Sequence, residues 1–166
     1  MKGHEDIQKI YAEAEASLPP RNCTRLTRCC RFVETGREPY VTRAEVDYLF
    51  AVLRASGRRL PLPREDGACP FLGGDEKTCT VYEGRPFGCR TNFCREAGGS
   101  VTAQELKPSL AALAALDEKL GGDGPHPLTR VLDGIARAST PRAKRKWITR
   151  PRPPGGGRGS APKDGL

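Results

Sequence analysis

Cys69-Pro-Phe-Leu-Gly-Gly-Asp-Glu-Lys-Thr-Cys79-Thr-Val-Tyr-Glu-Gly-Arg-Pro-Phe-Gly-Cys89-Arg-Thr-Asn-Phe-Cys94 is the stretch on which the fold turns. It holds four cysteines and no apolar run long enough to stand alone as a helix or strand. Cys69-Pro-Phe-Leu72 and Cys79-Thr-Val-Tyr82 are short apolar stretches, and Gly73 to Thr78 between them can turn a hairpin. Arg85-Pro86-Phe87-Gly88 is a second turn, leading into Cys89. Burial alone does not fix such a segment, so a staple is expected.

Upstream lies Cys23-Thr-Arg-Leu-Thr-Arg-Cys29-Cys30, which brings the total to seven cysteines in 166 residues. Disulfides and metals are the two ways to use them. Met1 to Leu18 carries Lys2, His4, Glu5, Asp6, Lys9, Glu13 and Glu15, with no apolar core of a secretory signal. No stretch approaches the ~18 apolar residues of a membrane span. A cytoplasmic chain is expected, in a compartment where clustered cysteines bind metal or do redox work. Seven is also odd, so complete pairing would leave one thiol over.

The expected fold is mainly α, with about four helices around the irregular cysteine-rich middle. Ile7, Ile10, Tyr11, Ala14 and Leu18 make one apolar stripe over Gly3 to Ser17, ended by Pro19-Pro20. Thr42-x-x-Glu45 is a capping box for a second helix with Val46, Leu49, Phe50 and Leu53 on one face and Gly57 at its end. Thr102-x-x-Glu105 opens a third, which Pro108 is expected to break or kink before Leu110, Leu113, Leu116 and Leu120. Leu128, Val131, Leu132 and Ile135 mark a fourth, from about Leu128 to Ala138. Residues 1–139 thus read as one small metal-stapled domain, with C-terminal helices over 102–138.

After Thr140 the composition changes. Arg142, Lys144, Arg145, Lys146, Arg150, Arg152, Arg158 and Lys163 face only Asp164, and they account for all but one of the net charge of +8. With Pro151 to Ser160 rich in Pro and Gly, residues 140–166 read as a disordered basic tail. Such a tail keeps a protein soluble or contacts nucleic acid through counterion release, with Trp147 available for stacking. The folded part is nearly neutral and shows no nucleic-acid reader.

Thiolates suit zinc and iron because the sulfur is soft and anionic. Cys23, Cys29 and Cys30 precede the second helix, and Cys69, Cys79, Cys89 and Cys94 follow it. All seven are candidate ligands. Bringing the two groups together would close a loop of about forty residues. The spacings match neither a paired Cys-x2-Cys zinc site nor a ferredoxin run. Cys29 and Cys30 would point to opposite sides of an extended chain, so one or both could ligate depending on the centre.

The segments taken together resemble the YkgJ-like cysteine-cluster family with its CxxCxxCC signature. Cys23 to Cys30 resembles that signature, and Cys69-Pro-Phe-Leu72, Cys79-Thr-Val-Tyr-Glu-Gly-Arg-Pro86, Gly88-Cys89-Arg90 and Cys94 resemble the second half of the pattern. The resemblance runs from Asn22 to Cys94 and departs at Leu26, where the family has its second cysteine. It implies a bacterial-type protein that chelates zinc or iron, the latter in an iron–sulfur centre, with ligands drawn from the seven cysteines.

Arg85, beside Pro86, reads either as an ordinary exposed turn or as a cation placed near the thiolates. Arg28 and Arg90 admit the same two readings, and Tyr82 is a sulfur partner or a core aromatic. His4 and His126 are the only histidines, and His126 is the one realistic base for a thiol enzyme. An enzyme using the centre for oxidoreductase or transferase chemistry, and nucleic-acid binding through the tail, are the alternatives to metal binding.

Overall fold

The computed structural model describes residues 3–19, 27–94, 97–99 and 101–139. Cys23, Leu26, Trp147 and the basic segment 140–166 lie outside the described residues.

Six helices and one pair of short strands organise what is described. Helix α1, His4–Ser17, buries Ile7, Tyr11 and Ala14 from the expected stripe. Helix α2, Phe32–Thr35, is a single turn that buries Phe32. Helix α3, Arg43–Ala55, begins at the Thr42/Glu45 capping box, with both reciprocal bonds formed. It is the central element. Val46, Leu49 and Leu53 face one apolar cluster with Phe71, Val81 and Leu128. Ala44 faces a second cluster with Ile7, Tyr11, Phe87, Leu113 and Leu116.

Helix α4, Phe87–Thr91, is short and follows the Arg85-Pro86 turn. Helix α5, Ala103–Lys119, starts at the second capping box and runs through Pro108 without a break. Of the expected break or kink, the break is therefore corrected. Proline there removes one N–H in an early turn, while the capping box and the burial of Leu113 and Leu116 hold both sides of it. Leu110 lies away from the core, at 47% exposure. Helix α6, Leu128–Ser139, buries Leu128 and Leu132 and packs Val131 and Ile135 against the first cluster.

The only regular pairing among the described residues is long-range. Strand β1, Tyr40–Val41, runs antiparallel to β2, His126–Pro127, with Tyr40 opposite Pro127 and Val41 opposite His126. The Leu128 N–H extends it by donating to the Pro39 carbonyl at 3.0 Å, and Glu38 accepts from the Thr129 N–H. The hairpin expected between Cys69-Leu72 and Cys79-Tyr82 is reduced to a single bridge, Leu72 to Cys79, with the Gly73 N–H donating to the Thr78 carbonyl at 2.8 Å. Asp117 ties α5 to α3. Its carboxylate, 2% exposed, accepts from the Arg43 N–H at 2.8 Å and from the Gly124 N–H at 2.9 Å. No helix of the described residues is long and apolar enough to cross a membrane.

Candidate metal centre

Cys29 and Cys30 sit on a 3-10 turn, Arg28–Cys30, closed by the Cys30 N–H donating to the Thr27 carbonyl at 2.8 Å. Such a turn advances ~120° per residue rather than the half-turn of an extended chain. Both thiols therefore reach the same cleft, with their Sγ atoms 4.0 Å apart. This corrects the expectation that neighbouring side chains diverge. Two thiolates on one tetrahedral zinc, each ~2.3 Å from it, would stand about 3.8 Å apart.

The second half of the cysteine set is joined to this turn through the backbone. The Cys69 N–H donates to the Cys30 carbonyl at 2.7 Å. Cys79 arrives on the bridge opposite Leu72, and Cys89 on helix α4. Cys29, Cys30, Cys69, Cys79 and Cys89 line one cleft of about 310 Å³, whose walls include Phe71, Val81, Leu128 and Arg85. Cys94 follows α4 and is not among the lining residues; its carbonyl accepts from the Ala97 and Gly99 N–H groups. Cys23 lies outside the described residues.

The six described cysteines are free. Contact with Cys30 and then burial push the Cys29 thiol well above its ordinary value. For Cys30, the Cys29 thiol lowers the value, but the neighbouring Cys69 thiol and burial outweigh it and push the thiol up to about 12. Burial raises Cys79, and burial followed by the neighbouring Cys30, Cys29 and Cys79 raises Cys89. Arg85 acts against this on Cys29, Cys79 and Cys89. Its guanidinium lies 3.6 Å over the Tyr82 ring and its Nε donates to the Tyr82 carbonyl at 3.0 Å. Arg85 thus lines the thiol cleft as a fixed cation, and Tyr82 supports it while 41% exposed.

A charged network braces the loop beside the Arg28–Cys30 turn. Glu76 accepts from Arg31 at 2.7 Å and from Arg64 at 3.3 Å, and Arg64 also pairs with Asp66 at 2.7 Å. Thr27 Oγ1 donates to the Glu76 carbonyl at 2.8 Å. The loop from Gly73 to Thr78 is thereby tied to the turn that carries Cys29 and Cys30. Within it the Asp75 carboxylate accepts from the Lys77 and Thr78 N–H groups at 3.0 and 3.1 Å. The guanidinium of Arg31 holds the Glu76 carboxyl below its ordinary value, and that of Arg64 does so for Asp66.

Other candidates go elsewhere. Arg90 turns away from the thiols: it pairs with Glu15 at 2.5 Å, donates to the carbonyls of Arg85 and Glu83, and covers the Tyr11 ring at 4.4 Å. His4 packs edge-on against Tyr48, and His126 pairs with Asp123 at 2.9 Å; neither lines the cleft. Glu45 was visible only as a capping residue. Its carboxylate, 2% exposed, also accepts from the Tyr11 hydroxyl at 3.0 Å and from the Phe87 N–H at 2.7 Å. Nothing in the spacing announces those partners.

Among the described residues no three His, Cys, Asp or Glu side chains are drawn around one point tightly enough to hold a metal ion as they stand. The donor chemistry nevertheless fits one. Five thiols from the Arg28–Cys30 turn, the bridged segment and α4 share one cleft, two of them at nearly the separation tetrahedral thiolates require, with a cation beside them.

No curated protein and no solved structure matches the chain. A family model does, over residues 22–109, which is more than half of the chain. Its description is "Putative zinc- or iron-chelating domain", and the matched residues contain all seven cysteines. The chain belongs to the CxxCxxCC family.

Proposed function

We propose that this protein binds a zinc ion or an iron–sulfur centre in the cleft lined by Cys29, Cys30, Cys69, Cys79 and Cys89, with Cys23 and Cys94 as the remaining candidate ligands. The carrying observation is that thiols from both halves of the signature share one cleft, with the two halves joined at the Cys30–Cys69 backbone bond. Metal supplies what this segment lacks. A structural zinc contributes ~10–16 kcal/mol of apparent binding energy in small domains, far more than short turns and one bridge provide. Deprotonated thiolates would serve as ligands, and Arg85 would offset part of their charge.

Aerobic and anaerobic purification with metal analysis and a visible spectrum tests this. Zinc in a colourless protein selects the zinc form, and sulfur-to-iron charge-transfer absorption selects the iron–sulfur form. Cys79→Ser and Cys89→Ser are expected to lose the metal. A folded protein that carries no metal from either preparation, and takes up none when it is supplied, would sink the reading.

A further inference from the structure

Helix α4 delivers Cys89 to the cleft, yet it is only five residues long. An isolated helix of that length does not hold itself. Pro86 stands at its N-cap and offers no side-chain cap, so the Phe87 N–H would be an orphan donor in a buried place. Glu45 Oε1 takes that donor from helix α3, and the same oxygen accepts from Tyr11 on helix α1. On the other side of Cys89, Arg90 is held by Glu15 of α1, by the Tyr11 ring and by two carbonyls. The residues flanking the thiol are thus fixed from behind, and none of Glu45, Tyr11, Glu15 and Arg90 lines the cleft.

We propose that Glu45 and the Arg90–Glu15 pair are positioning residues for Cys89, so that helix α1, which lies outside the matched residues 22–109, is a working part of the metal centre. This rests on the metal reading above for its consequence, and on hydrogen bonds, the Arg90–Glu15 ion pair and the Tyr11 ring contact for its geometry. Residues that orient ligands from outside the coordination sphere typically contribute 10–100-fold in metal affinity.

The test uses the full chain with Glu15→Ala, Arg90→Gln, Arg90→Lys and Glu45→Gln. Cobalt(II) is the probe, with affinity read by chelator competition and thiolate ligation by the near-ultraviolet charge-transfer band. In parallel, the metal-free proteins are alkylated under reducing conditions and the rate at each cysteine is mapped by mass spectrometry. Glu15→Ala and Arg90→Gln are expected to weaken cobalt binding about tenfold, dim the charge-transfer band and speed alkylation of Cys89 several-fold, with Cys69 unchanged. Arg90→Lys, which keeps a cation for Glu15, should recover part of each. Should Glu45→Gln fail to fold, the half-exposed Glu15 still reports, since it stands on the outer face of α1. Cobalt affinity and Cys89 alkylation both within about twofold of the parent would overturn the proposal. If the parent takes up no cobalt, the metal reading falls, and the alkylation rates alone decide whether Cys89 is held from behind.

Discussion

The Cys69 N–H reaches the Cys30 carbonyl at 2.7 Å, and this bond joins two cysteine groups that stand 39 positions apart. Around it, thiols face one another within an apolar wall that includes Phe71, Val81 and Leu128. Raised thiol values follow, because each neutral thiol is favoured by burial and by the neighbours it would otherwise repel as an anion. Metal binding has to displace those protons.

Metal affinity should therefore climb with pH. Below the thiol values, each proton released on binding adds about a factor of ten in affinity per pH unit. A four-thiolate site would show a slope near four between about pH 6 and 8 in chelator competition, with matching acid release seen by a pH indicator. A slope near zero would mean that the cysteines are not the ligands.

The metal-free protein should lose stability in alkali. Raised folded-state values make the thiol contribution complete below the unfolded value of ~8.5, and it is lost as pH rises toward about 12, where Cys30 titrates. Tyr11, pushed up first by burial and then by Glu45, acts in the same direction above pH ~10. Urea midpoints of the reduced, metal-free chain should drop from pH 7.5 to pH 10. The loaded protein, whose thiolates are already ionised, should drop less.

Gly84→Ala should damage the cleft from outside. A Cβ at Gly84 would meet Val52 at 3.0 to 3.3 Å on three atoms, and Val52 is stiff at χ1. The turn Tyr82–Gly84 would have to lift off α3, taking Tyr82 and Arg85 with it. The cost should be about 1–3 kcal/mol by urea denaturation. Adding Val52→Ala should recover part of it, and failure of that rescue would rule out the collision.

Glu76→Gln should loosen one loop and little else. It removes the charge that Arg31 and Arg64 share, on a side chain that is 49% exposed. Hydrogen exchange should quicken at the Gly73 and Glu76 amides, while the global urea midpoint stays within error. A shifted midpoint would mean that the loop carries the fold.

The elements legible in the chain are those whose signals are local. Both capping boxes formed at Thr42/Glu45 and Thr102/Glu105, and the stripes of α1, α3 and α6 turn toward the core, burying Ile7, Tyr11, Val46, Leu49, Leu53, Leu128 and Leu132 and leaving Ile10, Leu18, Phe50, Val131 and Ile135 partly buried. Helices α2 and α4 span four and five residues, too few for a period to register. The pairing of Tyr40–Val41 with His126–Pro127 depends on where two distant segments meet, which no local pattern encodes. At the site, all seven cysteines were candidates and five of them line the cleft, while the 3-10 turn that lets Cys29 and Cys30 share it was hidden because two adjacent residues specify no backbone conformation. The partners of Arg90 and Glu45 were not legible for one reason: each has partners on helix α1, more than thirty positions away.

Leu128 is 1% exposed, lies beside the thiols in the cleft, and comes into place only when β2 pairs with β1. Every cysteine has been synthesised by residue 94, but the wall that Leu128 supplies is made more than thirty residues later. During synthesis the nascent chain would thus present its full complement of thiols with the cleft still open. Closure depends on a contact of high sequence separation, the kind that forms late and slowly. The interval before helix α6 emerges is when the thiols are most open to oxidation or to the wrong metal.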